Sequence, residues 1–244
     1  MDVRFVGTGD AFGSGGRWQT CIMLTADGQT MLVDCGATSL TAMKSQGLDP
    51  GAVGTVVISH LHGDHFGGLP FLILDGQFSR RVSPLLIAGP PGTAGRLEQA
   101  MEVLFPGSAG VRRRFRVDVL ELAADGSPAV VGPATVRGWQ VEHACGAPPL
   151  AVSVRLGGAT FAYSGDTEWT PVLADAARGA DLFAAEAYTF GRRVRYHLDY
   201  LTLREHRREL TAERTVLTHM SPSMLGRLAE VQAPAAHDGM VVRL

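Results

Sequence analysis

The chain has 244 residues, 45% of them hydrophobic, and a formal net charge of -2. That is enough apolar material for one large domain or two small ones with a real core. A nearly neutral chain carries no global attraction to nucleic acid or to an anionic membrane, and no apolar stretch approaches the length of a membrane span.

Met1-Asp2-Val3-Arg4-Phe5 enters a strand-like run directly and does not read as a signal peptide. Cys21, Cys35 and Cys145 are odd in number and lack C-x-x-C spacing, a pattern expected of reduced thiols in a cytoplasmic protein. Arg4-Phe5-Val6 leads into the glycine-rich stretch from Gly7 to Gly16. This stretch lacks the Lys-Ser/Thr ending of a phosphate-binding loop, and no clear helix follows it, so a mobile loop at a site rim is expected. Cys21–Leu24 and Thr30–Asp34 form a hairpin around Asp27-Gly28, and Thr38–Gln46 reads as a helix stopped by Gly47. The apolar run Val56-Val57-Ile58 reads as a buried strand.

Directly after that strand comes Ser59-His60-Leu61-His62-Gly63-Asp64-His65, with three imidazoles and a carboxylate within six residues. On an extended end, His60 and His62 point to the same side. Gly63 lets the chain turn, so that Asp64 and His65 approach from another direction at the start of a helix. Imidazole with carboxylate suits Zn²⁺, Fe or Mn rather than the all-oxygen preference of Ca²⁺ and Mg²⁺.

Further on, Leu85–Ala88 is a strand, and Thr93–Leu104 is a helix with Ala94, Leu97, Ala100, Met101 and Leu104 on one face. Strands are expected at Arg116–Leu122, Ala134–Val141, Ala151–Leu156 and Thr160–Tyr163. After these, the helices Thr170–Ala177 and Thr202–Glu209 alternate with the strands Leu182–Ala185 and Thr215–Leu217. No linker, repeat or low-complexity tract divides residues 1–244, which are read as a single domain of two sheets with helices outside them. Three of these strands end in a ligand type: His143 after Val141-Glu142, Asp166 after Ser164-Gly165, and His219 after Leu217-Thr218. Ligands at strand ends have their directions set by a rigid sheet.

This ordered set resembles the metallo-β-lactamase superfamily, in its ribonuclease Z-like and cyclic phosphodiesterase-like branch. The matching pieces are Val33-Asp34-Cys35-Gly36, His60-Leu61-His62-Gly63-Asp64-His65, Phe66-Gly67-Gly68-Leu69-Pro70 and Ala88-Gly89-Pro90-Pro91-Gly92, followed by His143, Ser164-Gly165-Asp166-Thr167 and Leu217-Thr218-His219-Met220-Ser221. The resemblance implies an α/β fold, a four-layer αββα sandwich of two mixed β-sheets flanked by helices. It also implies two divalent metal ions per chain, Zn²⁺ foremost with Mn²⁺ or Fe as alternatives. His60, His62 and His143 would hold the first, Asp64, His65 and His219 the second, and Asp166 would bridge them. His197 matches a histidine that assists the leaving group in that branch, and Glu186 a glutamate that supports it; Asp64 would orient the attacking hydroxide as well as bind metal.

Two departures bear on the substrate. The tRNA-gripping arm that ribonuclease Z enzymes commonly insert between the residues matching His143 and Asp166 is missing, as is the cysteine-bound structural zinc of the phosphonate-pathway phosphodiesterases. The expectation is therefore a metal-dependent hydrolase, a phosphodiesterase with a bridging hydroxide that acts on a small phosphodiester or nucleotide. A large tRNA is not expected as substrate, there is no membrane partner, and a homodimer is left open. Two rivals stay open: a lactonase or thioesterase of the same superfamily, and a non-catalytic metal-binding protein. Of the basic clusters, Arg112-Arg113-Arg114-Arg116 reads as a solvated edge strand, whereas Arg192-Arg193-Arg195, between Glu186 and His197, is the better placed to meet phosphate.

Overall fold

The computed structural model describes residues 1–244. Its first half builds one sheet and its helices. β1 (Asp2–Gly7), β2 (Cys21–Ala26) and β3 (Gln29–Val33) pair antiparallel; α1 (Ser39–Ser45) then leads to β4 (Val53–Val57), which lies parallel to β3. The short α2 (Gly63–Phe66) and α3 (Leu69–Phe78) precede β5 (Leu85–Gly89); α4 (Thr93–Leu104) precedes β6 (Val117–Glu121), and β5 and β6 continue the parallel half.

The second half repeats the plan. β7 (Asp125–Val131), β8 (Ala134–Gln140), β9 (Leu150–Leu156) and β10 (Ala159–Tyr163) are antiparallel neighbours. Past α5 (Val172–Ala177), β11 (Leu182–Glu186) joins β10 in parallel; past α6 (Tyr200–Glu205), β12 (Arg214–Thr218) joins β11. After α7 (Pro222–Leu225), β13 (Val241–Arg243) returns to pair with β1. The sheets have strand orders β13-β1-β2-β3-β4-β5-β6 and β12-β11-β10-β9-β8-β7.

Strand alternation creates the layers. Val3, Phe5, Ile22, Leu24, Met31 and Val33 of the first sheet meet Val152, Val154, Phe161, Tyr163, Leu182 and Val216 of the second in one buried cluster. Their strand neighbours face outward. Val6, Met23, Leu32 and Val56 pack beneath α1, α3 and α4 with Met43, Leu69, Ile73 and Leu97. Ala162, Phe183, Ala185 and Leu217 pack beneath α5, α6 and α7 with Leu173, Ala177, Leu203 and Met224. The result is the αββα sandwich that the family resemblance implies, and no helix in it is long and apolar enough to cross a membrane.

Several boundaries differ from the sequence expectation. α6 begins at Tyr200 rather than Thr202, because Asp199 is its N-cap, accepting from the Thr202 amide at 3.0 Å and its hydroxyl at 2.7 Å. β7 had no sequence signal because Pro128 interrupts it; the strand is tolerated because it lies at a sheet edge. α3 reads apolar nearly all round and so lacks the helical contrast that would reveal it. The glycine-rich stretch has internal ties: Asp10 is buried and accepts from the Ser14 amide at 2.9 Å and the Ser14 hydroxyl at 2.7 Å. The Arg112–Arg116 segment leads into edge strand β6, where Arg116 pairs with Asp118 at 2.6 Å.

Candidate metal centre

The parallel halves of both sheets end at the same place, and their connecting turns supply the polar side chains. β4 runs out into Ser59-His60. His62 precedes α2 in extended conformation, and its carbonyl receives the Phe66 amide at 2.9 Å, so Asp64 and His65 ride on the single turn of α2. That turn is clamped to the end of β3: the Cys35 amide donates to the His65 carbonyl at 2.6 Å and the Ala37 amide to the Gly63 carbonyl at 3.1 Å. Gly36 sits so close that a Cβ there would fall onto the Asp64 carbonyl oxygen. The sheets are joined beside His60 by the Leu150 amide, which donates to the Ser59 carbonyl at 2.9 Å.

The second sheet contributes the remainder. Asp166 follows β10 and Gly165. It does not cap the next helix, which starts six residues later at Val172. Thr167 ties this turn to the His143 turn, its hydroxyl receiving the Glu142 amide at 3.0 Å. His219 follows β12 with a left-handed φ of 57° and donates its amide to the Thr8 carbonyl at 3.1 Å, so the glycine-rich stretch supports it.

Three sets of side chains converge. His60, His62 and His143 have ligand atoms within 4.8 Å of one another, as do Asp64, His65, Asp166 and His219, and again Asp166, Glu186, His197 and His219. All seven residues expected to bind metal are thus brought together. Asp166 stands with the Asp64 set.

The donors fit divalent ions on two observations. His60 Nε2, His65 Nε2 and Asp166 Oδ1 are buried without a hydrogen-bond partner, although buried polar atoms are normally paired. His143 Nε2 and His62 Nδ1 lie 3.0 Å apart, two ring nitrogens aimed at one region. Three imidazoles in one set and mixed oxygen and nitrogen in the other match the ligand types of zinc.

Partners behind these rings set their orientation. Asp34, fully buried with φ of 60°, accepts from His65 Nδ1, the Ser59 amide and the Ser59 hydroxyl, each at 2.7 Å. Ser59 Oγ also lies 3.1 Å from His60 Nδ1. The Tyr196 carbonyl lies 2.9 Å from His143 Nδ1. Such contacts fix which nitrogen of a ligand histidine is free.

Burial sets the charges. Desolvation pushes His60 well below the ordinary histidine range, helped by the neighbouring rings, and lowers His62 with His143 as the next cause; both are held neutral, the ligating form. Burial opposes ionisation of Asp64, but His65 and the hydrogen bonds from His219 and His65 outweigh it and hold the carboxyl below its usual range. For Asp166 burial is again the largest influence, overcome by His219 and His65.

Glu186 and His197 lie next to these sets. The Glu186 side chain is completely enclosed. Oε1 accepts from His197 Nδ1 at 2.6 Å and lies 3.3 Å from His219 Nδ1, while Oε2 accepts from the Thr167 amide at 3.0 Å and the Leu198 amide at 3.2 Å. A carboxylate so enclosed and so fully engaged acts through its partners. Its geometry is that of a positioning residue. His197 keeps 23% of its side chain exposed. Burial works against its charge, but the hydrogen bond and charge of Glu186, then Asp166, raise its pKa.

Sequence reasoning passed over three residues here. The Tyr188 ring lies 4.7 Å from the His197 ring, Tyr196 supplies the carbonyl behind His143, and Trp169 lines a cleft with His197. Each is within nine residues of an expected site residue in sequence, but an aromatic residue carries no ligand signature of its own.

This fold and this ordered set of strand-end residues define a metallo-β-lactamase superfamily member of the ribonuclease Z-like branch. More narrowly, the model of the family described as Anti-Pycsar protein Apyc1 matches residues 1–233, and the chain belongs to that family. Ribonuclease Z of Haloferax volcanii is 34% identical over 143 residues, which is 59% of this chain and 43% of that protein, so the chain spans less than half the length of this curated relative. The short form of human tRNase Z superposes with a TM-score of 0.80 at 24% identity, over 100% of this chain and 99% of the other. A diphosphatase of the PhnP family superposes with a TM-score of 0.77 at 17% identity, over 100% and 97%.

The first two likenesses correct one expectation. The missing arm does not set aside a large tRNA substrate. The relatives are named ribonuclease Z and tRNase Z, and one of the latter aligns over nearly its whole length with this arm-free chain. The αββα body is what these proteins share, so lack of the insertion is no ground for excluding tRNA.

Proposed function

We propose that the chain is a metal-dependent phosphodiesterase that holds two divalent ions, zinc foremost, and cleaves the phosphodiester of a nucleotide. His60, His62 and His143 would hold one ion, Asp64, His65 and His219 the other, with Asp166 between them. When bound, such ions lower the pKa of water from about 15.7 towards about 7 and neutralise charge on phosphoryl oxygens. The chain's own contribution is to the leaving group. Glu186 holds His197 by Nδ1 and favours the imidazolium, leaving Nε2 to give its proton to the departing alkoxide. Asp34, through His65 and Ser59, keeps the ligand rings in orientation.

The observation that carries this reading is the Glu186–His197 pair beside the ligand sets, with Nδ1 to Oε1 at 2.6 Å. The thiolate of a thioester departs without a proton, whereas the alkoxide of a phosphodiester needs one. The names of two of these relatives, ribonuclease Z and tRNase Z, support cleavage of a phosphodiester.

The test is a reconstituted screen. Chelated protein is reloaded with Zn²⁺, Mn²⁺ or Fe²⁺, metal content is measured, and 2′,3′- and 3′,5′-cyclic nucleotides, short RNA, a tRNA precursor, lactones and thioesters are offered. Two ions per chain and turnover of a phosphodiester are expected. Turnover of acyl substrates alone, of none, or at one ion per chain refutes the proposal.

A further inference from the structure

The open side of the sandwich lies between β12, the edge strand of the second sheet, and β13, the edge strand of the first. A cavity of about 490 Å³ occupies this side, with α6 above it. It runs along the strand whose far end leads into His219. Volumes of this size are typical of small-molecule sites.

The backbone explains why the cavity exists. Leu217 turns its amide and carbonyl away from β11, to the Pro234 carbonyl at 2.8 Å and the Ala236 amide at 2.7 Å. The pairing is a single parallel bridge, Leu217 to Ala235, and Pro234 has no N–H with which to continue it. Two residues back, Thr215 presents its amide and carbonyl to the same edge, where the cavity lies. Leu182 and Val216 line it from between the sheets, Leu203 from α6, and Met240 and Val242 from the C-terminal segment. Its ends are tied: the Gln232 amide donates to the Tyr200 hydroxyl at 3.0 Å, and Arg214 Nη2 to the Arg243 carbonyl at 3.0 Å.

The polar groups of this apolar lining are unspent. Thr215 is only 8% exposed, and its Oγ1 is buried with no hydrogen-bond partner, although such hydroxyls are normally paired. Strand alternation places its side chain with that of Leu217, on the α6 side. The same lining carries exposed Arg204, Arg207 and Arg214 against one acid, Glu213. None of the three is in an ion pair; the arginines that are paired to carboxylates are Arg116, Arg178, Arg227 and Arg243.

We propose that this cavity binds an amphiphile with one carboxylate and an unbranched apolar body, the chemistry of a medium-chain fatty acid. The body lies along the β12 edge against Leu182, Val216, Met240 and Val242. The carboxylate meets the arginines and accepts a hydrogen bond from the Thr215 hydroxyl. A planar guanidinium matches a carboxylate with two parallel N–H donors. An uncharged chain would leave those donors unused, and a small anion would leave the apolar walls unused. The site is independent of the reaction proposed for the metal centre.

Calorimetry on the zinc-loaded full chain compares octanoate, octanol and acetate. Octanoate is expected to bind once per chain, with octanol and acetate each weaker by about tenfold or more. Arg204→Gln combined with Arg207→Gln should weaken octanoate by roughly tenfold and leave octanol unchanged, because hydrogen bonds to charged groups carry that difference. Thr215→Val keeps the shape of the side chain and removes the unpartnered hydroxyl. It should weaken octanoate without lowering the melting temperature of the free protein, which loss of a structural hydrogen bond would lower. Met240→Trp fills the cavity and should abolish uptake of both octanoate and octanol; where that variant does not fold, the exposed arginines and the isosteric valine decide. Equal affinity for octanoate and octanol, equal affinity for octanoate and acetate, or octanoate binding that the arginine and valine variants leave intact overturns the site. So does an assembly of the chain that takes up no octanoate and dissociates in sedimentation when Met240 is changed to Trp, since the cavity would then be an interface between copies.

Discussion

Replacing His197 with alanine separates proton donation from every other contribution of the centre. The ring contacts Glu186 through Nδ1 at 2.6 Å and lies 3.9 Å from Asp166, but it belongs to neither the three-imidazole set nor the Asp64 set. Its removal leaves Glu186 bound to two backbone amides and close to His219, so the stability cost should stay near the 1–3 kcal/mol of one lost charged hydrogen bond. The catalytic cost should depend on the leaving group. An alkoxide leaves with difficulty unless protonated, and loss of the acid should lower kcat by about 10²–10⁴, or roughly 3–5 kcal/mol in the barrier. p-Nitrophenolate needs no proton, and its ester should lose less than about tenfold. The assay is kcat for two diesters of the same nucleotide, one with an alkyl and one with a p-nitrophenyl leaving group, with zinc content measured on both proteins. Equal losses on the two diesters at unchanged metal content, or wild-type turnover of the alkyl diester, would refute the argument.

The other predictions concern the support of the centre. Asp34→Asn replaces a buried acceptor of three hydrogen bonds and should weaken zinc binding by about 10–100-fold, read by competition with a chromophoric chelator; unchanged affinity would show that His65 keeps its orientation unaided. Gly36→Ala drives a Cβ against the Asp64 carbonyl; it should cost about 1–3 kcal/mol and lower zinc affinity in the same variant. A lower melting temperature with normal affinity would separate that clamp from the centre. Burial pushes the Cys21 thiol up to about 12, and all three cysteines are buried and free of disulfides. A thiol reagent should therefore modify the folded protein slowly and three sites on unfolding; rapid reaction of one thiol in the native state would contradict the packing.

Much of this molecule could be read before its structure. The His60–His65 run placed four donors after an apolar strand, and the strand-then-turn pattern recurred at His143, Asp166 and His219. Strand ends are legible because the apolar run states where the sheet stops and the ligand type stands just beyond it. The αββα fold followed from the family resemblance that these motifs carry. What stayed hidden was built from backbone and from aromatic rings. The Tyr196 carbonyl behind His143 carries no residue signature, α3 has too uniform an apolar surface to show a period, and Pro128 masked β7 because only topology makes it an edge strand. The exclusion of a large tRNA fails for a related reason. A missing insertion is conspicuous in a sequence, but it says little about what a shared body can accept.

The placement of the donors explains why they are useful only together. His60 and Asp64 belong to the first sheet; Asp166, Glu186 and His219 belong to the second. Their convergence depends on the apolar cluster between the sheets and on backbone hydrogen bonds at the rim, from Leu150 to Ser59 and from His219 to Thr8. Sheet docking thus completes each ligand set, and an ion bound in either would in turn hold the sheets together, since ligand binding and folding draw on the same free energy. The buried donors left without hydrogen bonds, His60 Nε2, His65 Nε2 and Asp166 Oδ1 among them, are costly to the folded chain alone. A sequence that keeps so many of them at the junction of its two sheets has a packing that makes physical sense when cations complete it.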